Sequence, residues 1–469
     1  MFSWSGLLIF ALVCNLGINA GSEVKKDLPN AGQEKNGKIV YILVIDAGST
    51  GSRVVAYKFS KTGRDLQLLE EKFVKIRPGL SSYAHDPELG AQKIYELVQE
   101  VKDFVPKDDK PKTEVYLRAT AGLRLLGDEK SAELLQVVQN ALECTGYKAP
   151  KDAAAMLTGV EEGLFSWFTV NYFKHSLKKH HTYATLEMGG GSSQVTYEVN
   201  RPYVPYVRNS IYDSPKPNIK VFAHSYLGLG LSAARQGILQ FDYPHPLHNN
   251  SHVTSVCYDR FTPYKNFTFN NMVLHVRGKP RSNKQIGVDI KKCRKRVLRF
   301  VRDKIVPVPY GLHEEANVAL SAFYYRGKSG NVITDEYGVT TIGRIWKKLQ
   351  LVCRYPNSKE PFLCLDLIYI HTLLTKGFRL HNSNIVEMLN SYDNHELSWA
   401  LGFAYSKIMK TMPPATPVLD MREKSKKKVQ CSTYKSKVKT EPILAKTEPT
   451  PASPVPTVNP DPTKPTVPK

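Results

Sequence analysis

The sequence predicts an α/β protein of two similar lobes that face each other across a cleft. Three observations carry this reading. A strand-turn-strand segment occurs twice, 141 residues apart. Strands and helices alternate between the two copies. The chain has 469 residues, 42% hydrophobic and 10% aromatic, which is enough to bury two cores.

The first copy, residues 39–57, reads IVYILVIDAGSTGSRVVAY, and the second, residues 182–197, reads TYATLEMGGGSSQVTY. Placing Asp46 on Glu187 also places Gly48 on Gly189, Ser52 on Ser193, Arg53 on Gln194 and Val54 on Val195. Each copy is an apolar strand ending in a carboxylate, a turn of Gly, Ser and Thr, and a second alternating strand. That is a hairpin with a phosphate-sized tip. The separation is far beyond a solenoid period, so it indicates duplicated lobes. Between the copies, Pro87 to Val105 and Glu129 to Glu143 place apolar residues at helical spacing, and Glu114 to Ala119 reads as the strand that separates them.

The flanks have other compositions. Residues 1–20 carry an apolar run, Leu7 to Leu16, followed by small residues. They read as a secretory signal cut near Ala20, with 21–37 a polar lead-in. From Pro413 onward 12 of 57 residues are Pro, mixed with Lys, Ser and Thr, and 413–469 is expected to be a disordered tail. Its cluster Arg422 to Lys428 has the composition of a nuclear import signal or of a solvated basic linker. Without Cys14, six cysteines remain. We pair Cys257 with Cys293 and Cys353 with Cys364, because each pair lies in one local stretch; the alternative is six buried thiols. Asn249 and Asn266 open glycosylation sequons.

The formal net charge of +22 points to polyanionic partners. Twelve basic and two acidic residues fall between Arg277 and Lys304, and residues 290–305 read as a basic amphipathic helix. That profile fits a packed helix with its charges in water, an acidic polysaccharide or membrane surface, or a calmodulin target. Nucleic acid is not expected, since the aromatic platforms of single-strand readers are missing from the basic stretches.

Two Gly-rich turns in register, each after a carboxylate, could grip successive phosphates from both sides while Asp46 and Glu187 hold a divalent cation. Hydrolysis also needs a base for water, and Glu161 and Glu162, ahead of the helix-like run Leu164 to Tyr172, are the candidates. Ala119 to Arg124 ends in a cation and reads as a phosphate-facing turn. The chain has no zinc pattern, Walker loop, Rossmann fingerprint or Gly-x-Ser-x-Gly elbow. Phosphoryl chemistry by positioning and a metal remains.

Asp46-Ala-Gly-Ser-Thr-Gly-Ser-Arg53, Ala119-Thr-Ala-Gly-Leu-Arg124, Gly159 to Trp167, Glu187-Met-Gly-Gly-Gly-Ser-Ser-Gln194 and Glu396-Leu-Ser-Trp-Ala-Leu-Gly402 resemble the five ordered apyrase regions of the nucleoside triphosphate diphosphohydrolases. Pro78 to Ala84, His224 to Gly228 and Asp366 to Tyr369 are similar to segments of the soluble plant-type apyrases. The resemblance spans about residues 39–410. It implies two ribonuclease-H-like lobes, as in actin, sugar kinases and heat-shock ATPases, with lobe I at 38–158 and 394–412 and lobe II at 159–393.

It also implies hydrolysis of the terminal phosphate of nucleoside tri- and diphosphates with Ca²⁺ or Mg²⁺ and no covalent phosphoenzyme. By position, Glu162 matches the base for water and Thr120 a hydroxyl beside it. Ser49, Thr50, Gly51, Ser52, Arg53, Gly189, Gly190, Gly191, Ser192, Ser193 and Gln194 match the phosphate-binding residues, and Asp46 and Glu187 match the carboxylates that hold the metal, largely through water. Family members stack aromatic residues of the second lobe on the base, and Tyr324, Tyr325, Tyr337 and Phe403 are available here. The family usually has Asp at the position of Glu187, and the extra methylene is expected to push the carboxylate about 1.5 Å toward the metal. Three readings follow: a secreted apyrase, a GDP- or UDP-preferring diphosphatase of the endoplasmic reticulum or Golgi lumen, and a catalytically weak nucleotide- or glycan-binding member. A nuclear or cytosolic pool is the setting in which the basic cluster and calmodulin would matter.

Overall fold

The structure is a computed structural model and describes residues 37–63, 65–177, 181–215, 219–280, 286–411 and 431–435. The expected signal, the lead-in up to residue 36 and most of the 413–469 stretch lie outside the described residues.

The first sheet contains β1 (Lys38–Ala47), β2 (Ser52–Thr62), β3 (Asp65–Ile76), β4 (Glu114–Ala119) and β5 (Ala154–Met156), in the order β3-β2-β1-β4-β5. β1 is apolar on both faces because both are covered. Leu43 and Ile45 pack with α1 (Pro87–Gln99) and α3 (Asp128–Glu143), whereas Ile42 and Val44 meet Phe165 and Trp399. Asp86 caps α1 by accepting a bond from the Leu89 N–H, and Pro87 opens its first turn. The short helix α2 (Ala121–Arg124) follows β4 directly.

The second sheet holds β6 (Ala184–Met188), β7 (Ser192–Glu198), β8 (Ile211–Asp213), β9 (Lys220–Leu227), β13 (Asn317–Ser321), β14 (Val339–Thr341) and β15 (Ile385–Leu389), in the order β14-β15-β13-β6-β7-β9-β8. A small sheet of β10 (Ser251–Ser255), β11 (Lys265–Phe269) and β12 (Met272–Gly278), the helical turn α5 (Val204–Val207) and the ribbon β16 (Ser391–Tyr392) with β17 (His395–Glu396) complete the strands and connections. The order β3-β2-β1-β4-β5 recurs as β9-β7-β6-β13-β15, antiparallel on one side of the central strand and parallel on the other. The duplication therefore extends beyond the hairpins to the whole sheet.

The helix α4 (Gly159–Phe173) lies between the lobes. Thr158 and Glu161 form a reciprocal capping box at its start. Its sequence is apolar around most of the cylinder because both sides are buried. Leu164, Trp167 and Phe168 meet Val221 and Ala223 of the second sheet, and Phe165 and Val170 join Phe403 and, from the first sheet, Val44. α11 (Trp399–Met409) packs beside α4 and against β1. The second lobe is closed by α6 (Leu231–Gln240), α7 (Ile290–Val301), α8 (Ala322–Ser329), α9 (Ile342–Val352) and α10 (Leu363–Thr372). Among the described residues, no helix is long and apolar enough to cross a membrane.

Both expected disulfides form, Cys257–Cys293 and Cys353–Cys364. A third, Cys144–Cys431, corrects the reading of the tail. Within the stretch expected to be disordered, residues 431–435 carry the helical turn α12 (Ser432–Lys435). Tyr434 is buried and stacks on Tyr95, and Gln92 donates to its carbonyl. The cross-link and one aromatic ring fix a segment whose average composition cannot form a core. The basic helix is shorter than expected, ending at Val301, and its apolar face is already used. Cys293, Val297, Phe300 and Val301 are buried, and Arg296 pairs with the buried Asp242 carboxylate at 2.8 Å. A calmodulin-like partner, which grips an apolar helix face, would have to extract it from the core. Asn249 and Asn266 are both exposed, so their sequons are accessible for glycan attachment.

Candidate active site

The two hairpins meet at one cleft of about 620 Å³. Their construction is the same residue for residue. Across the first, Asp46 pairs with Arg53 and the Gly48 N–H donates to the Gly51 carbonyl at 3.0 Å; across the second, Glu187 pairs with Gln194 and the Gly189 N–H donates to the Ser192 carbonyl at 3.0 Å. The turns touch: a Cβ on Gly190 would collide with the Ser49 and Thr50 side chains, so only Gly lets the loops approach this closely. Asp46, Ser49, Thr50, Gly51, Ser52, Arg53, Thr120, Glu162, Glu187, Gly189, Gly190, Gly191 and Ser192 all line the cleft.

Two expected phosphate ligands lie elsewhere. Ser193 is fully buried and donates to the Leu229 carbonyl at 2.7 Å, because consecutive residues of a strand face opposite ways. Gln194 lies behind the loop, and its Nε2 donates to Glu162 Oε2 at 2.9 Å, Ser192 Oγ at 2.8 Å and Ser225 Oγ at 3.0 Å. The Arg124 cation, expected to face phosphate, instead donates from Nη2 to Glu162 Oε2 at 2.5 Å and to Ser192 Oγ at 3.3 Å, and from Nη1 to Ser225 Oγ at 3.4 Å. Gly159 keeps this crossing open, since a Cβ there would strike Ser225 and Arg124. Ser225 escaped the sequence reading. It is the cross-strand neighbour of Gln194, a relation visible only once β7 and β9 are paired.

The capping box orients Glu161 back toward Thr158, so of the two candidate bases Glu162 alone turns into the cleft. Burial pushes its carboxyl up to about 8 against the opposing pull of Arg124, and the charges of Glu187 and Asp46 add to the rise. Glu187 is also raised by burial, to about 7, with Ser166 and Arg53 opposing. Its longer side chain is drawn back: the fully buried Ser166 hydroxyl, one helical turn beyond Glu162 on α4, donates to Glu187 Oε2.

Asp46 Oδ2 accepts from Arg53 at 2.7 Å, while its Oδ1 is buried with no hydrogen-bond partner. An orphaned carboxylate oxygen beside a second buried carboxylate fits a hard divalent cation, which takes oxygen ligands. Among the described residues, no three acidic, His or Cys groups converge closely enough to hold a metal by themselves. The donor set therefore fits an ion that keeps most of its waters.

Of the four aromatic residues considered for base stacking, Tyr325 lines the cleft. Phe403 is core, packed edge-on to Phe165 and Tyr116. Tyr337 is 70% exposed, and Tyr324 sits edge-on behind Tyr325.

Residues 32–307 match the model of the GDA1/CD39 (nucleoside phosphatase) family. The chain belongs to this family. It is 32% identical over 387 residues to ectonucleoside triphosphate diphosphohydrolase 5 of Gallus gallus, covering 78% of this chain and 87% of the relative. It is 32% identical over 378 residues to nucleoside diphosphate phosphatase ENTPD5 of Homo sapiens (78% and 87%) and over 400 residues to ectonucleoside triphosphate diphosphohydrolase 6 of Mus musculus (81% and 85%). Among solved structures, a nucleoside triphosphate hydrolase of Neospora caninum superposes with a TM-score of 0.54 over 80% of this chain and 93% of that one, at 14% identity, and so shares the two-lobed fold. As a GDA1/CD39 protein the chain is a hydrolase of nucleoside phosphates, and enzymes of this family depend on a divalent cation.

Proposed function

We propose that the chain removes the terminal phosphate of nucleoside diphosphates, by direct attack of a water molecule whose proton passes to Glu162. The observation that carries this is the placement of Glu162. It is a buried carboxyl at the mouth of both Gly-rich turns, with Arg124 and Gln194 both bonded to its Oε2. Its raised pKa suits a general base, which works best near the operating pH. The turn N–H groups and the hydroxyls of Ser49, Thr50, Ser52 and Ser192 grip the phosphates from two sides, and Thr120 lies beside the attacking water. Asp46 and Glu187 hold the divalent cation, Ca²⁺ or Mg²⁺, which when bound neutralises phosphate charge. Arg53, tied to Asp46 and Glu396, keeps the first carboxylate in place. Ser193 and Gln194 support the second turn and do not touch phosphate.

Diphosphates are placed ahead of triphosphates because a relative covering most of this chain is named a nucleoside diphosphate phosphatase. The expected compartment is the secretory lumen or the extracellular space, on the N-terminal apolar run and the two accessible sequons. Phosphate release from GDP, UDP, ADP and ATP with Ca²⁺, Mg²⁺ or EDTA tests the reading. Metal-dependent release from diphosphates supports it, and equal or faster release from ATP restores the broader apyrase expectation.

A further inference from the structure

The small sheet of β10, β11 and β12 lies apart from the cleft, and none of its residues lines it. Its two faces differ in kind, because alternate residues of a strand point to opposite sides. Val253, Phe267, Phe269, Leu274 and Val276 are buried in the core of the second lobe. The residues between them face outward, and they include His252, His275 and Asn266. Strand pairing sets these three in one row across the sheet, with His252 opposite His275 and His275 opposite Asn266.

Within that row the two imidazole rings lie side by side, with centroids 4.6 Å apart and planes 24° from parallel. His275 Nδ1 meets Asn266 Oδ1 at 2.8 Å. An amide oxygen can only accept, so the proton of the neutral His275 ring sits on Nδ1 and Nε2 keeps its lone pair. The bond is directed toward β11, and the ring edge across from Nδ1 is the one that carries Nε2. In the strand order β10-β12-β11, that edge is left on the side where His252 stands. His252 is exposed, and its ring makes no protein hydrogen bond among the described residues, so it can turn a nitrogen toward the same point.

A bare imidazole nitrogen is a good metal ligand, and a metal-bound His typically gives its other N–H to an oxygen that fixes its tautomer and orientation. The Asn266 bond supplies this before any metal arrives. Donor type also selects the ion. Imidazole suits copper, nickel and zinc, whereas Ca²⁺ and Mg²⁺ take oxygen ligands, so the row does not compete for the cation of the cleft. Among the described residues, no third His, Cys or acidic group closes on the pair, so water fills the other coordination positions.

We propose that His252 and His275 form a surface site for a divalent transition metal, with Asn266 as the positioning residue that presents His275 Nε2 to it. Asn266 also opens a sequon, and a glycan joined to its Nδ2 leaves Oδ1 in place. Glycosylated and bare chains therefore both carry the site. The hydrolytic reading of the cleft does not enter the proposal.

The test is titration of the untagged full chain with Cu²⁺, which binds such ligands most tightly of the divalent series. The chain is first stripped with EDTA and then held in excess Mg²⁺, and binding is followed by electron paramagnetic resonance. The first equivalent of Cu²⁺ should show coupling to two imidazole nitrogens. Asn266→Ala should weaken binding about tenfold, and Asn266→Asp, which places a carboxylate on the Nδ1–H, should match or exceed wild-type affinity. His252→Gln and His275→Gln should each reduce the coupling to one nitrogen and weaken binding more than Asn266→Ala does. His248→Gln, outside the sheet, should change nothing. A first equivalent that keeps its two-nitrogen signature in both sheet variants, or that is lost with His248, overturns the site. Equal affinity in wild type and Asn266→Ala overturns the positioning role.

Discussion

Replacing Cys144 and Cys431 together by Ser gives a prediction with a calculable size. The disulfide closes a loop of 287 residues between the end of α3 and a turn beyond the last long helix. In the chain-entropy account, opening a loop of that length returns about 5.7 kcal/mol of conformational freedom to the denatured state at 25 °C. The two inner bridges, spanning 36 and 11 residues, shorten the loop and lower the figure by only about 0.2 kcal/mol. Residual denatured-state structure reduces it further, so a loss of about 3 to 5 kcal/mol is expected. Urea unfolding of the oxidised protein, followed by far-ultraviolet circular dichroism, measures it. Each single Ser variant should lose as much as the double, because either one opens the same loop. A midpoint unchanged in the double variant would refute the reasoning and show that the Tyr434 contact with Tyr95, not the covalent link, holds α12 in place.

Glu162→Gln should lower the rate of phosphate release by about 10²- to 10⁴-fold while leaving nucleotide affinity near wild type, which single-turnover kinetics with separate binding titrations resolves. Since Glu162 must be ionised to accept a proton and burial raises its pKa, the rate should climb as pH increases through neutrality toward 8. Arg124 opposes that rise, so Arg124→Met should move the midpoint to still higher pH at fixed cation concentration, and a shift to lower pH would contradict the assignment. Ser166→Ala leaves a buried Glu187 oxygen without its donor and should change Mn²⁺ affinity, read by electron paramagnetic resonance. Combined with Glu187→Asp it should cost less than the sum of the two single changes, as expected for residues in contact.

The parts of the site that the sequence displayed are those governed by local order. The paired turns, their carboxylates and the helix carrying Glu162 are short contiguous patterns, and the same patterns build β1, β2, β6, β7 and α4. Strand alternation even held the answer for Ser193, whose neighbours Ser192 and Gln194 share the opposite face. What stayed hidden depends on distant segments meeting. Arg124 looked like a phosphate ligand until α4 was placed beneath it. Ser225 had no role until β9 lay beside β7. Cys431 sits among Pro and Lys residues, and nothing near it in the chain signals a partner 287 residues away. Ser166 became informative only with Glu187 opposite, although it follows Glu162 by one helical turn.

Arg124 has a mechanical consequence. It belongs to the lobe that carries the first turn, yet its bonds end on Glu162 and on two serines of the other sheet. It acts as a latch across the cleft, and the latch is electrical. Removing the guanidinium charge alone would raise the Glu162 pKa further, whereas admitting water to the carboxyl would lower it, because burial is the larger cause of the rise. One guanidinium thus fastens the base for water and two strands of the second sheet to the turn that follows β4.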